Sequence, residues 1–421
     1  MVGLGVAAFV GVLLPFFSWA VNFRVLAALL LVRTFVDGPL SFDIAGQSAS
    51  SLLGMVILVA GASLMIRNKQ GLLLGSAVLA CLAASTLLAG FTQQGFDGWP
   101  YFLRVASLIA FGLAFANLPR PAATRSVLAL VQTVAVASAG FSFAQAATGT
   151  GMVVEGVVRP AGLLAHPNSA ALVYGMGALA SLALLREPKH RVLNVLVLAV
   201  LLAALLMTGS IGGIVAFLSM VSAFAFLSRE VPFGAKVSLL AVSAVSFALF
   251  TVSPVGLERL SAFTSIDVSG ASGERNSLEW RFGRWRELLE YWQTSPVFGL
   301  GYGRSTSGGL LPGGYPPHNE YLRVLVDTGL VGLTIALIFA VSLWAFLNRL
   351  LRTTDSTDRR LLPGIAVATL VGLLVNSFTE NTFTYSIPIY LFGAILGSVW
   401  AAGLPDRLPQ LRGEREVHLR V

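Results

Sequence analysis

The sequence predicts an all-α polytopic membrane protein with twelve or thirteen transmembrane helices and one large extracytoplasmic loop. The chain is 56% hydrophobic and only 11% charged, with a mean hydropathy of +0.79, whereas a soluble domain carries about 25% charged residues. Apolar stretches of roughly 17–25 residues, each long enough to cross a bilayer core as a helix, recur along the 421 residues. Barrel strands would be shorter and would alternate in polarity.

The spans fall near 3–20, 23–37, 50–66, 71–90, 101–118, 126–147, 167–185, 192–208, 211–228, 234–253, 326–347, 361–379 and 384–402. The first lacks a basic leader and a small-residue cleavage site, so it reads as a span and not a signal peptide. The first two are short and the second contains Arg24 and Arg33, hence the count of twelve or thirteen. Basic residues gather at Arg67/Lys69, Arg120/Arg125, Arg186/Lys189/Arg191, Arg229/Lys236 and Arg349/Arg352/Arg359/Arg360, and in the tail at Arg407, Arg412, Arg415 and Arg420. These alternate loops hold seventeen of the 28 Lys+Arg, including every lysine. The positive-inside rule makes them and the C-terminus cytoplasmic. The net charge of +8 thus belongs to a membrane surface and not to nucleic-acid binding.

The organisation that follows is residues 1–253 with about ten spans, 254–318 as the large outer loop, 319–402 with the last spans, and 403–421 as a cytoplasmic tail. No inverted repeat of the kind common in transporters is evident. The single cysteine, Cys81, lies in an apolar run, so neither a disulfide framework nor a cysteine metal site is expected. His190 and His418 fall on the inner face.

The outer loops carry seven arginines and no lysine: Arg159, Arg259, Arg275, Arg281, Arg284, Arg286 and Arg304. Arginine's planar fork grips phosphate bidentately and keeps its charge when partly desolvated, so an anionic ligand at the outer surface is expected. "SLEWRFGRWRELLEYWQ", residues 277–293, reads as an amphipathic helix with Leu278, Phe282, Trp285, Leu288, Leu289 and Trp292 on one face. Arg281 falls within that stripe, where a cation calls for a negative partner; Arg284 and Arg286 flank it. In "SPVFGLGYGRS", Gly299, Gly301 and Gly303 form a turn whose amides offer themselves to an oxyanion.

"PPHNEYLRVLVDTGLVG", from Pro316 to Gly332, places a histidine where two prolines precede a new helix. The positive helix end disfavours imidazolium, and neutral imidazole is what a general base requires. Asn319 or Glu320 is expected to fix its tautomer. "RPAGLLAHPNSAA", from Arg159 to Ala171, has a similar design, with Arg159 as an anion ligand, Asn168 as a helix cap and His166 nearby. Glu380 and Asn381, at the outer end of the penultimate span, are placed to line an acceptor path. His-Glu-x-x-His, paired-carboxylate and nucleotide-binding glycine motifs are absent from the sequence.

Taken in order, these elements resemble the O-antigen ligase and O-antigen polymerase family of bacterial membrane glycosyltransferases. The matching motifs are Arg…Gly…His-Pro-Asn at Arg159–Asn168, Arg-x-x-x-Trp at Arg281–Trp285, Pro-x-x-Gly-x-Gly at Pro296–Gly301, and His-Asn-x-x-Leu…Gly-x-x-Gly at His318–Gly332. The resemblance implies a GT-C-like architecture in the cytoplasmic (inner) membrane, with an extracytoplasmic active site and no metal or other cofactor. It implies an undecaprenyl-diphosphate-linked oligosaccharide donor and a glycan or lipid acceptor. His318 then resembles the base that activates the acceptor hydroxyl, and Arg281 the arginine that grips the diphosphate. Arg159, Arg275, Arg304, Asn168, His166, Asn319, Glu320 and Trp285 are the candidate substrate-binding residues. Membrane lipids surround the protein, and a chain-length regulator or flippase is a candidate partner; no nucleic acid is expected.

The chain departs from the family pattern once. Many members read Ser/Thr-Arg-Gly after the eighth span, and here "TGSIGG" has Ile211; either another arginine substitutes, with Arg159 and Arg275 the candidates, or the acceptor chemistry differs. The expected activity is polymerisation of lipid-linked repeat units for a surface polysaccharide. The rivals are ligation of finished glycan, such as O-antigen in lipopolysaccharide, to a lipid or protein acceptor, and non-enzymatic flipping of the carrier-linked glycan. A transporter would want charges deep within spans, and Arg33, Arg104 and Arg323 lie near span ends.

Overall fold

The computed structural model describes residues 21–38, 43–44, 47–67, 99–118, 122–154, 157–227, 233–252, 257, 277–306, 310, 316–354 and 357–403. The spans expected at 3–20 and 71–90, Cys81, Arg259, Arg275, much of the large loop and the tail lie outside these residues.

Among the described residues the chain forms twelve α-helices. They are α1 (Phe23–Asp37), α2 (Ala49–Arg67), α3 (Trp99–Ala116), α4 (Thr124–Thr148), α5 (Pro167–Leu184), α6 (Arg191–Met207), α7 (Ile211–Leu227), α8 (Phe233–Val252), α9 (Ser277–Trp292), α10 (Glu320–Thr353), α11 (Thr357–Asn376) and α12 (Ser386–Gly403). The strands are two short antiparallel pairs, β1 (Asp43–Ile44) with β2 (Gln47–Ser48), and β3 (Met152–Val154) with β4 (Val157–Arg159). Among the described residues, three helices are long and apolar enough to cross a membrane: Thr124–Thr148, Pro188–Met207 and Glu320–Thr353. Five shorter apolar helices accompany them, at Ala49–Leu64, Arg104–Ala116, Ile211–Leu227, Arg360–Asn376 and Ser386–Ala402.

α5 is buried along nearly its whole length, with α4, α6 and α7 packed around it. α7 also packs on α11, and α12 on α3. Lipid-facing positions such as Val192, Leu196, Ile338 and Phe339 stay exposed, as expected where the surrounding solvent is apolar. The amphipathic α9 lies apart from this bundle core. Its Leu288 is buried with Leu300, Leu322 and Val326, flanked by Trp285 and Trp292.

α10 is broken at Gly329, which has φ 67° and ψ −169°. An unbroken helix would bond the amides of residues 330 and 331 to the carbonyls of 326 and 327. Instead, Leu330 and Val331 donate to the carbonyls of Pro296 and Val297 at 2.9 and 3.1 Å. The released carbonyls of Val326 and Asp327 accept from Leu300 and Gly301 at 2.8 and 3.0 Å. The Asp327 carboxylate completes the interlock, accepting the amides of Gly303 and Ser305, both at 2.9 Å, and Arg323 Nη1 at 3.3 Å. A Cβ on Gly299, whose φ is 75°, would stand 2.5 Å from the Asp327 carbonyl carbon, so glycine is required there.

This corrects the oxyanion reading of the glycine turn. The amides of Gly301 and Gly303 are consumed in fastening the turn to Asp327 at the break in α10, and that of Gly299 by the Ser295 carbonyl at 3.0 Å; the break leaves backbone acceptors that need donors.

Candidate active site

His318 sits just ahead of α10, half-buried, with φ 50°. A non-glycine residue in this left-handed region is uncommon, and such strain persists where the surroundings enforce it. The surroundings here are specific. Asn319 caps α10 by accepting the Leu322 amide at 3.0 Å. The Glu320 amide donates to the Ser377 carbonyl at 2.9 Å. On the other side the Trp285 indole N–H donates to the Pro317 carbonyl at 2.7 Å. The amphipathic helix α9 thus clamps the residue before the histidine, and Trp280 meets the imidazole edge-on at 5.7 Å.

The imidazole Nδ1 lies 2.9 Å from Oε2 of Glu380, in the turn between α11 and α12. Glu380 is almost fully buried and every other contact it makes is a donor. Arg281 Nη2 reaches Oε1 at 3.1 Å, Asn168 Nδ2 donates to the same oxygen, and the Tyr385 hydroxyl donates to Oε2 at 2.7 Å. Burial alone would push this carboxyl up; the hydrogen bond and charge of His318, then Arg281 and the Tyr385 hydroxyl, outweigh it and bring it down to about 2. An ionised Glu380 accepts, so Nδ1 of His318 carries a hydrogen in either charge state, and in the neutral ring it is Nε2 that presents the lone pair. Among the described residues Nε2 makes no hydrogen bond.

Arg159 ends the β3–β4 hairpin and is buried. Its Nε donates to the Thr208 carbonyl at 2.7 Å and its Nη2 to Asn168 Oδ1 at 2.8 Å. Burial lowers its pKa to about 10, partly offset by Glu380, so it is still a cation at neutral pH. Thr208 lies three residues before Ile211, so Arg159 brings a guanidinium to the segment where the resembled family carries its arginine. The cations Arg159 and Arg281 therefore face a single carboxylate. Nε of Arg281 is buried without a hydrogen-bond partner, an arrangement that favours an added anion.

The expected site residues thus divide. His318, Arg281, Arg159, Asn168 and His166 converge on Glu380 or its immediate partners. Asn319 is a helix cap, Trp285 holds Pro317, and Glu320 is paired in the interior with Arg323. The tautomer of His318 is accordingly fixed by Glu380 and not by Asn319 or Glu320, whose side chains are turned to the start of α10. The cap of α5 is His166 and not Asn168: its Nδ1 accepts the Asn168 amide at 3.1 Å, with Pro167 at the first helical position. Asn168 is thereby freed to bridge Arg159 and Glu380. Arg304 lies in the glycine turn, its amide bonded to the Gly301 carbonyl at 3.1 Å; Arg275 is outside the described residues.

Sequence reasoning gave Glu380 only a place along the acceptor path and missed Tyr385. A glutamate between two apolar spans was the available signal for the first; for Tyr385 the sequence offers none. Among the described residues no cluster of His, Cys, Asp and Glu has metal-binding geometry.

The O-antigen ligase family matches residues 195–337, which run from α6 through α9 and His318 to the middle of α10. No curated protein matches the chain. The matched segment covers about a third of the chain and contains Arg281, the glycine turn, His318 and Gly329, the parts whose interlock has just been described. The chain is thus mostly helical, with apolar helices long enough to cross a membrane among the described residues, and its residues 195–337 are similar to the O-antigen ligase family.

Proposed function

We propose that the protein is a metal-independent, GT-C-like glycosyltransferase of the cytoplasmic membrane. It polymerises repeat units carried on undecaprenyl diphosphate at the membrane's outer face. The observation that carries the proposal is the His318–Glu380 pair set between Arg281 and Arg159. Nε2 of His318 takes the proton of an acceptor sugar hydroxyl as that oxygen attacks the anomeric carbon. The bond to the diphosphate breaks through an oxocarbenium-like state, and its electron pair remains on the phosphate oxygen. Fixed arginines that meet the departing charge supply the main electrostatic stabilisation. Glu380 holds the ring and balances the imidazolium formed, which returns its proton to water.

Arg159 stands in for the family arginine absent at Ile211, since its guanidinium docks on Thr208. A second reading, ligation of finished glycan to a lipid or protein acceptor, is favoured by the description of the matching family as ligase. Deleting the gene in its host and resolving surface and lipid-linked glycans by electrophoresis separates the two. Single repeat units left on the carrier, with no ladder, support polymerase. Full-length polymer stranded on the carrier supports ligase and overturns the polymerase reading.

A further inference from the structure

The site contains a second histidine whose hydrogen bonding has the opposite polarity to that of His318. His166 caps α5 through Nδ1, which accepts the Asn168 amide at 3.1 Å. A backbone N–H can only donate, so Nδ1 of His166 must bear the lone pair, and the neutral ring must carry its hydrogen on Nε2. In its neutral form His318 is the reverse: Nδ1–H to Glu380, lone pair on Nε2. The two rings are close, with centroids 6.3 Å apart, and His166 stacks on Tyr385 at 6.4 Å with the planes inclined by 13°. His166 is half-buried, and among the described residues its Nε2 has no hydrogen-bond partner.

We infer that His166 is a substrate-contacting hydrogen-bond donor, whose Nε2–H meets an oxygen of the departing diphosphate while His318 takes the acceptor's proton. Two histidines in one pocket thus hold fixed and complementary roles, one as base and one as neutral electrophile. His166 keeps its proton throughout: the glycosidic C–O bond breaks, the electron pair stays on the phosphate oxygen, and Nε2–H bonds to that oxygen. Burial is the main reason its pKa falls to about 4, with His318, Arg159 and Arg281 adding to the fall and Glu380 opposing it. A ring that does not become charged at neutral pH cannot serve as a proton reservoir, but it keeps one donor aimed in one direction. The role rests on the glycosyltransferase reading given above, and the cap geometry does not.

Two substitutions separate the donor from the cap. In H166N the amide oxygen can take the place of Nδ1, and asparagine is among the best caps, but nothing reaches the position of Nε2. In H166Q the side-chain amide reaches that position, while the cap acceptor is lost. In vesicles with a lipid-linked donor, H166N should release undecaprenyl diphosphate about 10- to 100-fold more slowly than wild type, the range for a lost hydrogen bond to a charged group. Its melting temperature should stay near that of wild type. H166Q should melt lower yet turn over about tenfold faster than H166N.

Inorganic diphosphate gives a readout free of turnover: its affinity should fall about tenfold in H166N and be partly restored in H166Q. H166N with wild-type turnover and wild-type diphosphate affinity would overturn the inference, leaving His166 a cap. So would H166Q as slow as H166N. A wild-type protein that binds diphosphate through His166 but releases no undecaprenyl diphosphate would instead remove the glycosyltransferase reading and keep the anion contact.

Discussion

Nδ1 of His318 and Oε2 of Glu380 stand 2.9 Å apart, although 62 residues separate them in sequence. The contact joins the strained residue ahead of α10 to the turn between α11 and α12. It sets which imidazole nitrogen is basic. E380Q preserves shape but makes the acceptor ambiguous and leaves Arg281 without its counter-charge. Turnover should fall about 100-fold or more, the range for loss of a positioned acid–base partner. The check is a rate measurement on folded, monodisperse E380Q; a loss below threefold would contradict this role.

Arg281 and Arg284 differ although they lie one helical turn apart. Arg281 points at Glu380, whereas Arg284 pairs with Glu287 at 3.1 Å and lies over the Trp280 ring. R281Q should lower turnover by roughly 100-fold, as expected for removing one fixed charge from the departing diphosphate. R284Q should change it by less than about fivefold, in keeping with a partly solvated pair. Measuring both in the same vesicles, against the same donor, decides the comparison.

Acid should destabilise the protein in two stages. The His166 pKa is depressed from 6.5 to about 4, so the unfolded chain binds more protons between those values. Its contribution is complete above pH 6.5 and is lost as pH falls towards 4. Glu380, depressed from 4.5 to about 2, keeps its contribution above pH 4.5 and loses it below. Melting temperatures in detergent at pH 7, 5.5 and 4 should fall for wild type. In H166N the decline between pH 6.5 and 4 should be shallower.

The glycine interlock predicts a structural phenotype distinct from a catalytic one. G299A forces a side chain onto the Asp327 backbone at a φ of 75°. D327N removes a fully buried carboxylate from Arg323 and two amides. Breaking a buried pair destabilises by about 3–5 kcal/mol, so both variants should give little folded protein at the membrane. Fluorescence-detected size exclusion of tagged protein measures this without an activity assay.

The helices were legible because a bilayer imposes long apolar runs. Each expected span that falls within the described residues coincides with a helix. Less visible was the break at Gly329 inside the expected 326–347 span, since glycine in a membrane helix is ordinary. The glycine turn was visible but its partner was not: nothing in "GLGYG" says that its amides meet Asp327. His318 and Arg281 were legible from local context, a proline pair before a helix and a cation within an apolar stripe. Glu380 was harder, because its importance lies in contacts with Asn168 and Arg281 that are 212 and 99 residues away in sequence.

The most direct measurement replaces His318 with alanine and follows release of undecaprenyl diphosphate from a lipid-linked donor in reconstituted vesicles. The account predicts a fall of about 100- to 10,000-fold, the range for loss of a positioned base, with donor binding and melting temperature little changed. Wild-type release by H318A would contradict the account.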